Sequence, residues 1–256
     1  MFENYLIDQN FAGYSAEEHT VWDTLYERQT KLLPGRAAPA FLAGLEKLSL
    51  RGPGIPDFVE LSKRLKTLTG WQVMAVPGLV PDSVFFTLLA NRMFPAGNFI
   101  RRPDQLDYLQ EPDVFHDVFG HVPMLSDPVF ADYIEAYGKG GLRALECGRL
   151  HNLTRLYWYT VEFGLIKTDA GARIFGAGIV SSAGETIYAL ESPTPQRKPF
   201  EIEEVMRTPY RIDDFQNCYF VIPSFEDLLS ATRDSDFGPL YDRLAVLPDL
   251  PLPCVA

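Results

Sequence analysis

Between Ser15 and about Leu33 apolar residues recur at helical spacing, and Ser15-Ala16-Glu17-Glu18 opens the run with the S-x-x-E form of a capping box. Pro34-Gly35 ends it. A second helix is predicted over 39–50, stopped by the breaker-rich RGPGIP, and a third, amphipathic one over Asp57–Leu68, closed near Gly70. WQVMAV at 71–76 predicts a short strand. Pro81-Asp82-Ser83 then opens a helix, with proline in the first turn where its missing N–H costs little. Residues 128–137 and 152–166 predict helices, while RIFGAGIV at 173–180 and CYFVI at 218–222 predict strands. The strands are few, lack the regular alternation of a βαβ repeat, and no internal repeat or long linker interrupts the chain. The pattern predicts one domain over residues 1–256, mainly α with short β ribbons (α+β), with a loosely held tail, PDLPLPCVA.

Composition narrows the partners. With 46% hydrophobic and 13% aromatic residues the chain can bury a sizeable core. Its 34 acidic against 23 basic residues give a net charge of −11, which repels nucleic acid and acidic membrane surfaces. No stretch approaches the roughly 20 apolar residues that cross a bilayer, and the N-terminus lacks the pattern of a signal peptide. Cys147, Cys218 and Cys254 stand apart without a CxxC pair. That argues against a disulfide framework and a thiolate zinc site, and for a reducing, cytoplasmic setting.

The stretch EPDVFHDVFGHVPM at 111–124 holds two of the chain's four histidines, five residues apart among phenylalanines and valines. A lone histidine in such a wall is ordinarily a core residue bonded to a carbonyl. Two would each need a buried partner, and one divalent cation satisfies both. A straight α-helix places residues five apart about 140° away from each other; Gly120 is a place for a local backbone adjustment. On this spacing the metal and core readings both stand. A third ligand narrows the metal: no thiolate lies nearby, and two imidazoles with one carboxylate form the facial arrangement of non-haem Fe(II) enzymes. In RLYWYTVEFGLI, 155–166, Glu162 is the sole acid of a strongly apolar run, costly to bury unless paired or metal-bound. Its alternative partner is Arg155.

Taken together, EPDVFHDVFGHVPML, RLYWYTVEFGL and FGAGIVSSAGE resemble the tetrahydropterin-dependent aromatic amino acid hydroxylases, closest among them to the bacterial phenylalanine 4-monooxygenases. The resemblance runs from about residue 15 to 235, leaving 236–256 as a tail, and implies the catalytic-domain fold of that family. It assigns His116, His121 and Glu162 to catalytic Fe(II). A tetrahydropterin, which supplies electrons for O2, is implied to stack on Phe85, to bond the backbone of Gly78 and Leu79, and to meet Asp117 through water; Phe85 and Phe86 read equally as core by helical spacing alone. For the amino acid, Arg101 in NFIRRP is the implied carboxylate partner, with Arg102 competing. Pro112, Trp158 and His116 are implied to form the ring slot, with Gly178 and Ser181 as its floor. Ser181 also matches a partner of an iron-bound histidine, and Tyr157 a tyrosine beside the iron. Glu185 receives no role beyond an ion pair.

By the same resemblance, Trp158 matches phenylalanine- and tyrosine-specific relatives and Ile212 stands where phenylalanine-specific ones carry an apolar residue, which implies L-phenylalanine, since an apolar slot leaves a substrate hydroxyl unpaired at about 1–3 kcal/mol. Leu109 and AGNF at 96–99 depart from the family pattern near the substrate. The implied reaction is para-hydroxylation of L-phenylalanine to L-tyrosine through a ferryl oxygen. The expected protein is a monomer without regulatory or tetramerisation domains. Hydroxylation at the meta position or of tryptophan, a zinc hydrolase, and an iron- or pterin-carrying protein are the alternatives.

Overall fold

The computed structural model describes residues 2–107, 111–233 and 237–253; Leu109 and Cys254 lie outside them. Helix α1 (Ala16–Leu32) begins on a complete capping box: Ser15 Oγ accepts from Glu18 N at 3.2 Å, and the Glu18 carboxylate accepts from Ser15 N at 2.7 Å. α2 (Pro39–Lys47) starts on proline, and α3 (Phe58–Thr69) runs from the Asp57 cap to Gly70, whose φ of 80° closes it. β1 (Gln72–Val76) and β2 (Met93–Gly97) then pair in parallel, with α4 (Asp82–Ala90) as their crossover. This βαβ unit is absent from the sequence reading because Pro95 and Gly97 disguise β2 as a loop. In a two-stranded sheet each strand is an edge, so Pro95 costs little there.

α4 lies on α5 (Pro128–Glu146), where Phe86 presses so close to Gly141 that a Cβ would sit 1.9 Å from the ring. Phe86 is therefore core. A mixed sheet of order β4-β3-β6-β5 forms from β3 (Leu165–Thr168), β4 (Gly171–Ile174), β5 (Gln196–Pro199) and β6 (Cys218–Ile222). The remaining helices are α6 (Leu150–Tyr157), α7 (Ala177–Val180), α8 (Ala183–Glu191), α9 (Ile202–Arg207), α10 (Phe225–Arg233) and α11 (Phe237–Val246). Mainly α with short sheets is thus the observed class.

Three expectations need correction. The helix predicted over 152–166 is α6 followed by a π-helical turn, Trp158–Glu162, and its last two residues belong to β3. Gly164 breaks it: its carbonyl accepts from both Phe175 N and Gly176 N, and a Cβ there would strike the Phe175 ring. In the predicted strand 173–180 only Arg173 and Ile174 belong to a strand, and Ala177–Val180 is a helical turn; periodicity cannot separate short buried strands from buried helix. The described part of the tail, residues 248–253, is strapped down. Arg155 grips both Asp249 oxygens at 2.7 and 2.6 Å, Arg207 Nε donates to Pro248 O, Leu250 N to Arg207 O, and Asn217 Nδ2 to Pro253 O.

Buried side chains from Val21 to Leu244 form one continuous cluster. At its centre Phe115 and Phe119 stack at 4.7 Å, with Trp22 and Phe41 edge-on to them. No helix among the described residues is long and apolar enough to cross a membrane.

Candidate metal centre

The Phe115/Phe119 stack anchors a second π-helical turn, Phe115–His121, which carries both histidines. A π-turn closes i→i+5 hydrogen bonds, so residues five apart come into register instead of lying 140° apart. Burying the two phenylalanine rings, at about 1.5–3 kcal/mol each, offsets the poorer backbone geometry. His116 and His121 consequently meet, Nε2 to Nε2, at 3.2 Å. Gly120 contributes by lacking a side chain: a Cβ would stand 3.1 Å from Ala177 at the start of α7.

Glu162 ends the other π-turn, and its carboxylate lies 3.1 Å from His121 Nε2 and 3.5 Å from His116 Nε2. All three donor atoms fall within 4.8 Å of one another, and no other trio of His, Cys, Asp or Glu converges this way among the described residues. Arg155, the alternative partner of Glu162, is committed to Asp249. Burial opposes the Glu162 charge, but the two imidazoles outweigh it and hold the carboxyl well below its ordinary range. Burial likewise opposes protonation of His116, and Glu162, Asp117 and Asp113 override it, raising the imidazole to about 8.

Ser181 decides the tautomer. Its hydroxyl donates to Ala177 O at 2.7 Å, so its one proton is spent, and it must accept from His116 Nδ1–H at 3.0 Å. In the neutral ring the Nε2 lone pair of His116 then points at Glu162 and His121. Two facing imidazole nitrogens beside an ionised carboxylate are a donor set that a divalent cation completes, and they fit iron in the two-histidine, one-carboxylate manner.

Asp113 is the group that sequence reasoning missed. Fully buried, it takes Arg101 Nε and Nη2 at 2.8 and 2.9 Å on its two oxygens, Arg101 N at 2.9 Å, and His116 N at 3.0 Å. Burial would raise Asp113; Arg101 outweighs it and lowers it. One carboxylate thereby ties the guanidinium to the start of the histidine turn. The signal was present, an aspartate three residues before a histidine at a helix start. Arg102 is exposed and paired with Asp104.

Gly78 has a φ of 154°, a conformation glycine favours, and a Cβ would meet the Glu111 carboxylate at 2.9 Å. Leu79 is 82% exposed. Phe85 is half-buried, edge-on to Tyr157 at 5.7 Å, and Tyr157 in turn stacks toward His121 at 6.2 Å. Asp117 accepts from Gly97 N at 2.8 Å, which ties the 96–99 segment to the histidine turn, and burial pushes its carboxyl up to about 6. Pro112 is half-buried beside Asp113. A Cβ on Gly178 would meet the Phe163 ring at 2.8 Å. Trp158 stacks face to face on Tyr210 at 4.1 Å and donates Nε1–H to Gln216 Oε1 at 2.9 Å. Burial raises the Tyr210 hydroxyl, and nearby Glu162 adds to it. Neither Tyr210 nor Gln216 was singled out from sequence.

Two readings change. Ile212 is 72% exposed on its loop rather than packed in a slot. Glu185 makes no ion pair among the described residues: it accepts the Tyr219 hydroxyl and Gln216 N, and burial pushes it up to about 7.

Comparison with known proteins identifies the family. Residues 7–237 match the family model of biopterin-dependent aromatic amino acid hydroxylases. A phenylalanine-4-hydroxylase of Caulobacter vibrioides is 63% identical over 247 residues, covering 96% of this chain and 84% of that protein. The phenylalanine hydroxylase of Chromobacterium violaceum, solved with iron(III) and 7,8-dihydrobiopterin, superposes with a TM-score of 0.93 at 56% identity over 99% of this chain and 91% of that one. Its structure with iron and phenylalanine gives 0.91 at 56% identity, over 96% and 89%. With the family model spanning nearly the whole chain and identity this high, the chain belongs to the biopterin-dependent aromatic amino acid hydroxylases.

Proposed function

We propose that this chain is an iron- and tetrahydropterin-dependent monooxygenase that hydroxylates L-phenylalanine at the para carbon to give L-tyrosine. The observation that carries it is the convergence of two imidazoles and one ionised carboxylate within 4.8 Å, in a chain 63% identical to a phenylalanine-4-hydroxylase. Bound there, iron with a reduced pterin supplies the activation of O2 and the electrons for it.

The chain's own residues divide the remaining work. His116, His121 and Glu162 hold the metal, with Ser181 keeping the His116 lone pair turned inward. Arg101 takes the substrate carboxylate: Asp113 fixes two of its nitrogens, and its Nη1 keeps only a 3.4 Å bond to Leu106 O. That leaves a preoriented donor for an anion. Phe85 offers the pterin an aromatic edge or face beside Tyr157, the Gly78–Leu79 backbone bonds its amide-like edge, and Asp117 reaches it through water. Pro112, Trp158, Gly178 and Ser181 enclose the ring and exclude water from it. Residues 1–256 work as one catalytic unit, a cytoplasmic monomer; the single continuous core supports the first part.

Anaerobic loading with Fe(II), followed by oxygen, tetrahydropterin and phenylalanine, tests this by mass spectrometry of the product. Para-tyrosine formed only with pterin present is expected. Meta-tyrosine, preference for tryptophan, or turnover without pterin overturns it. Sedimentation at working concentration checks the monomer.

A further inference from the structure

Behind the Trp158 wall lies a buried bracket that no part of the mechanism above uses. Gln216 sits just before β6 with every side-chain polar atom engaged. Its Nε2 donates to Arg211 O at 2.9 Å and to Asp214 O at 3.3 Å, which obliges Oε1 to face the other way, onto Trp158 Nε1–H at 2.9 Å. Its backbone N–H is held in turn by Glu185 at 3.1 Å, and Glu185 is clasped by the Tyr219 hydroxyl. The bracket thus joins α8, β6 and the 211–217 loop to one indole.

Stacking fixes that indole only partly. Tyr210 lies against its face at an interplanar angle of 12°, and Phe163 lies 4.7 Å away on a tilt. Such contacts set the height and tilt of a ring but resist sliding and turning in its own plane weakly, because dispersion is non-directional. A hydrogen bond from the ring edge supplies the missing in-plane anchor. Trp158 shares its π-turn with Glu162, so an in-plane shift of the indole moves the wall relative to the metal ligands.

We propose that Gln216 is a positioning residue for the amino acid substrate, acting through Trp158 to fix where the ring sits against the metal centre. The proposal rests on the hydroxylase reading above, with Trp158 as a wall of the phenylalanine slot. A misplacement of about an ångström there can cost about 100-fold in the rate of ring hydroxylation, so that pterin oxidised by O2 would exceed tyrosine formed.

The test is a double-mutant cycle of Gln216→Leu and Trp158→Phe, reading KM for phenylalanine and for pterin, pterin oxidised per tyrosine formed, iron content, and calorimetric phenylalanine binding without oxygen or pterin. Gln216→Leu is expected to raise phenylalanine KM and Kd by about tenfold and to increase unproductive pterin oxidation, with iron content and pterin KM within about twofold of the parent. In the Trp158→Phe background, which has no indole N–H, the same change should add less than about twofold. Equal effects in both backgrounds overturn the proposal and leave Gln216 a strut of its loop. Should Trp158→Phe leave phenylalanine affinity unchanged, the slot reading of Trp158 fails, and the proposal with it. Gln216→Met, of similar length, replaces Gln216→Leu if that variant does not fold.

Discussion

Glu162, half-buried, and Glu185, buried, are both acids among aromatic rings, 23 residues apart by their numbers, and their carboxyls are shifted in opposite directions. Glu162, with 15% of its side chain exposed, faces two imidazoles and stays ionised far below the ordinary carboxylate range. Glu185, 4% exposed, faces a phenol and a backbone N–H, and burial lifts it to about 7. What separates them is whether the neighbours can carry positive charge. Where they can, the acid becomes one side of a metal centre; where they can only donate neutral hydrogen bonds, it becomes a strut between secondary-structure elements.

The sharpest way to break this contrast is to remove the charge from the first acid without changing its size. Glu162→Gln keeps the shape of the π-turn and both histidines but presents a neutral oxygen or an N–H to the cation. Iron retained after desalting should fall from near-stoichiometric to near zero, with the far-ultraviolet spectrum unchanged. Stoichiometric iron in that variant would mean that the imidazoles alone hold the metal and that the ionised state of Glu162 is incidental.

Much of this centre was visible in the sequence, and the parts that were not share a cause. Glu162 stood out as the lone acid of an apolar run, and α1 and α3 were legible because their stop and start signals are local: the Ser15–Glu18 box, Asp57, Gly70. The His116–His121 geometry was not, since α-helical spacing sets the two rings apart. The π-turn that brings them together depends on Phe115, Phe119 and an approach of Ala177 to Gly120 from across the fold. Asp113 carries a local capping signal, yet its purpose depends on Arg101, twelve positions earlier. Tyr210 and Gln216 gave no signal at all: each acts on Trp158 from more than fifty positions away. Glu185 was noticed but given an ion pair, because a sequence does not reveal that its neighbour is a tyrosine.

A smaller change sharpens the metal side of the contrast. Ser181→Ala leaves all three ligands in place and removes the acceptor for His116 Nδ1–H. The imidazole is then free to adopt the other tautomer, with its proton toward the metal, and to swing. Losing such an outer partner typically weakens metal binding by about 10–100-fold, so competition against a chelator of known affinity should register a drop in that range. No drop would show that another group orients His116.

The smallest expected effect lies on the strut side, and its sign follows from the direction of the shift. Glu185 binds its proton more tightly in the folded chain, at about 7, than in the unfolded chain, where it titrates near the ordinary 4.5. Its neutral form therefore favours the fold fully below about 4.5. As pH rises from there to about 7, the unfolded state gives up the proton first, and stability drains away. Above about 7 both states are ionised and the loss levels off. Glu185→Gln keeps an acceptor for Tyr219 and Gln216 N but cannot ionise, so it escapes this loss. The unfolding midpoint of the parent should fall relative to the variant as pH is raised from 5 to 8, with most of the change complete by about 7. Parallel curves would mean that Glu185 stays ionised in the fold through a cation the neutral-strut account lacks, and the distinction between the two glutamates would collapse into one of degree.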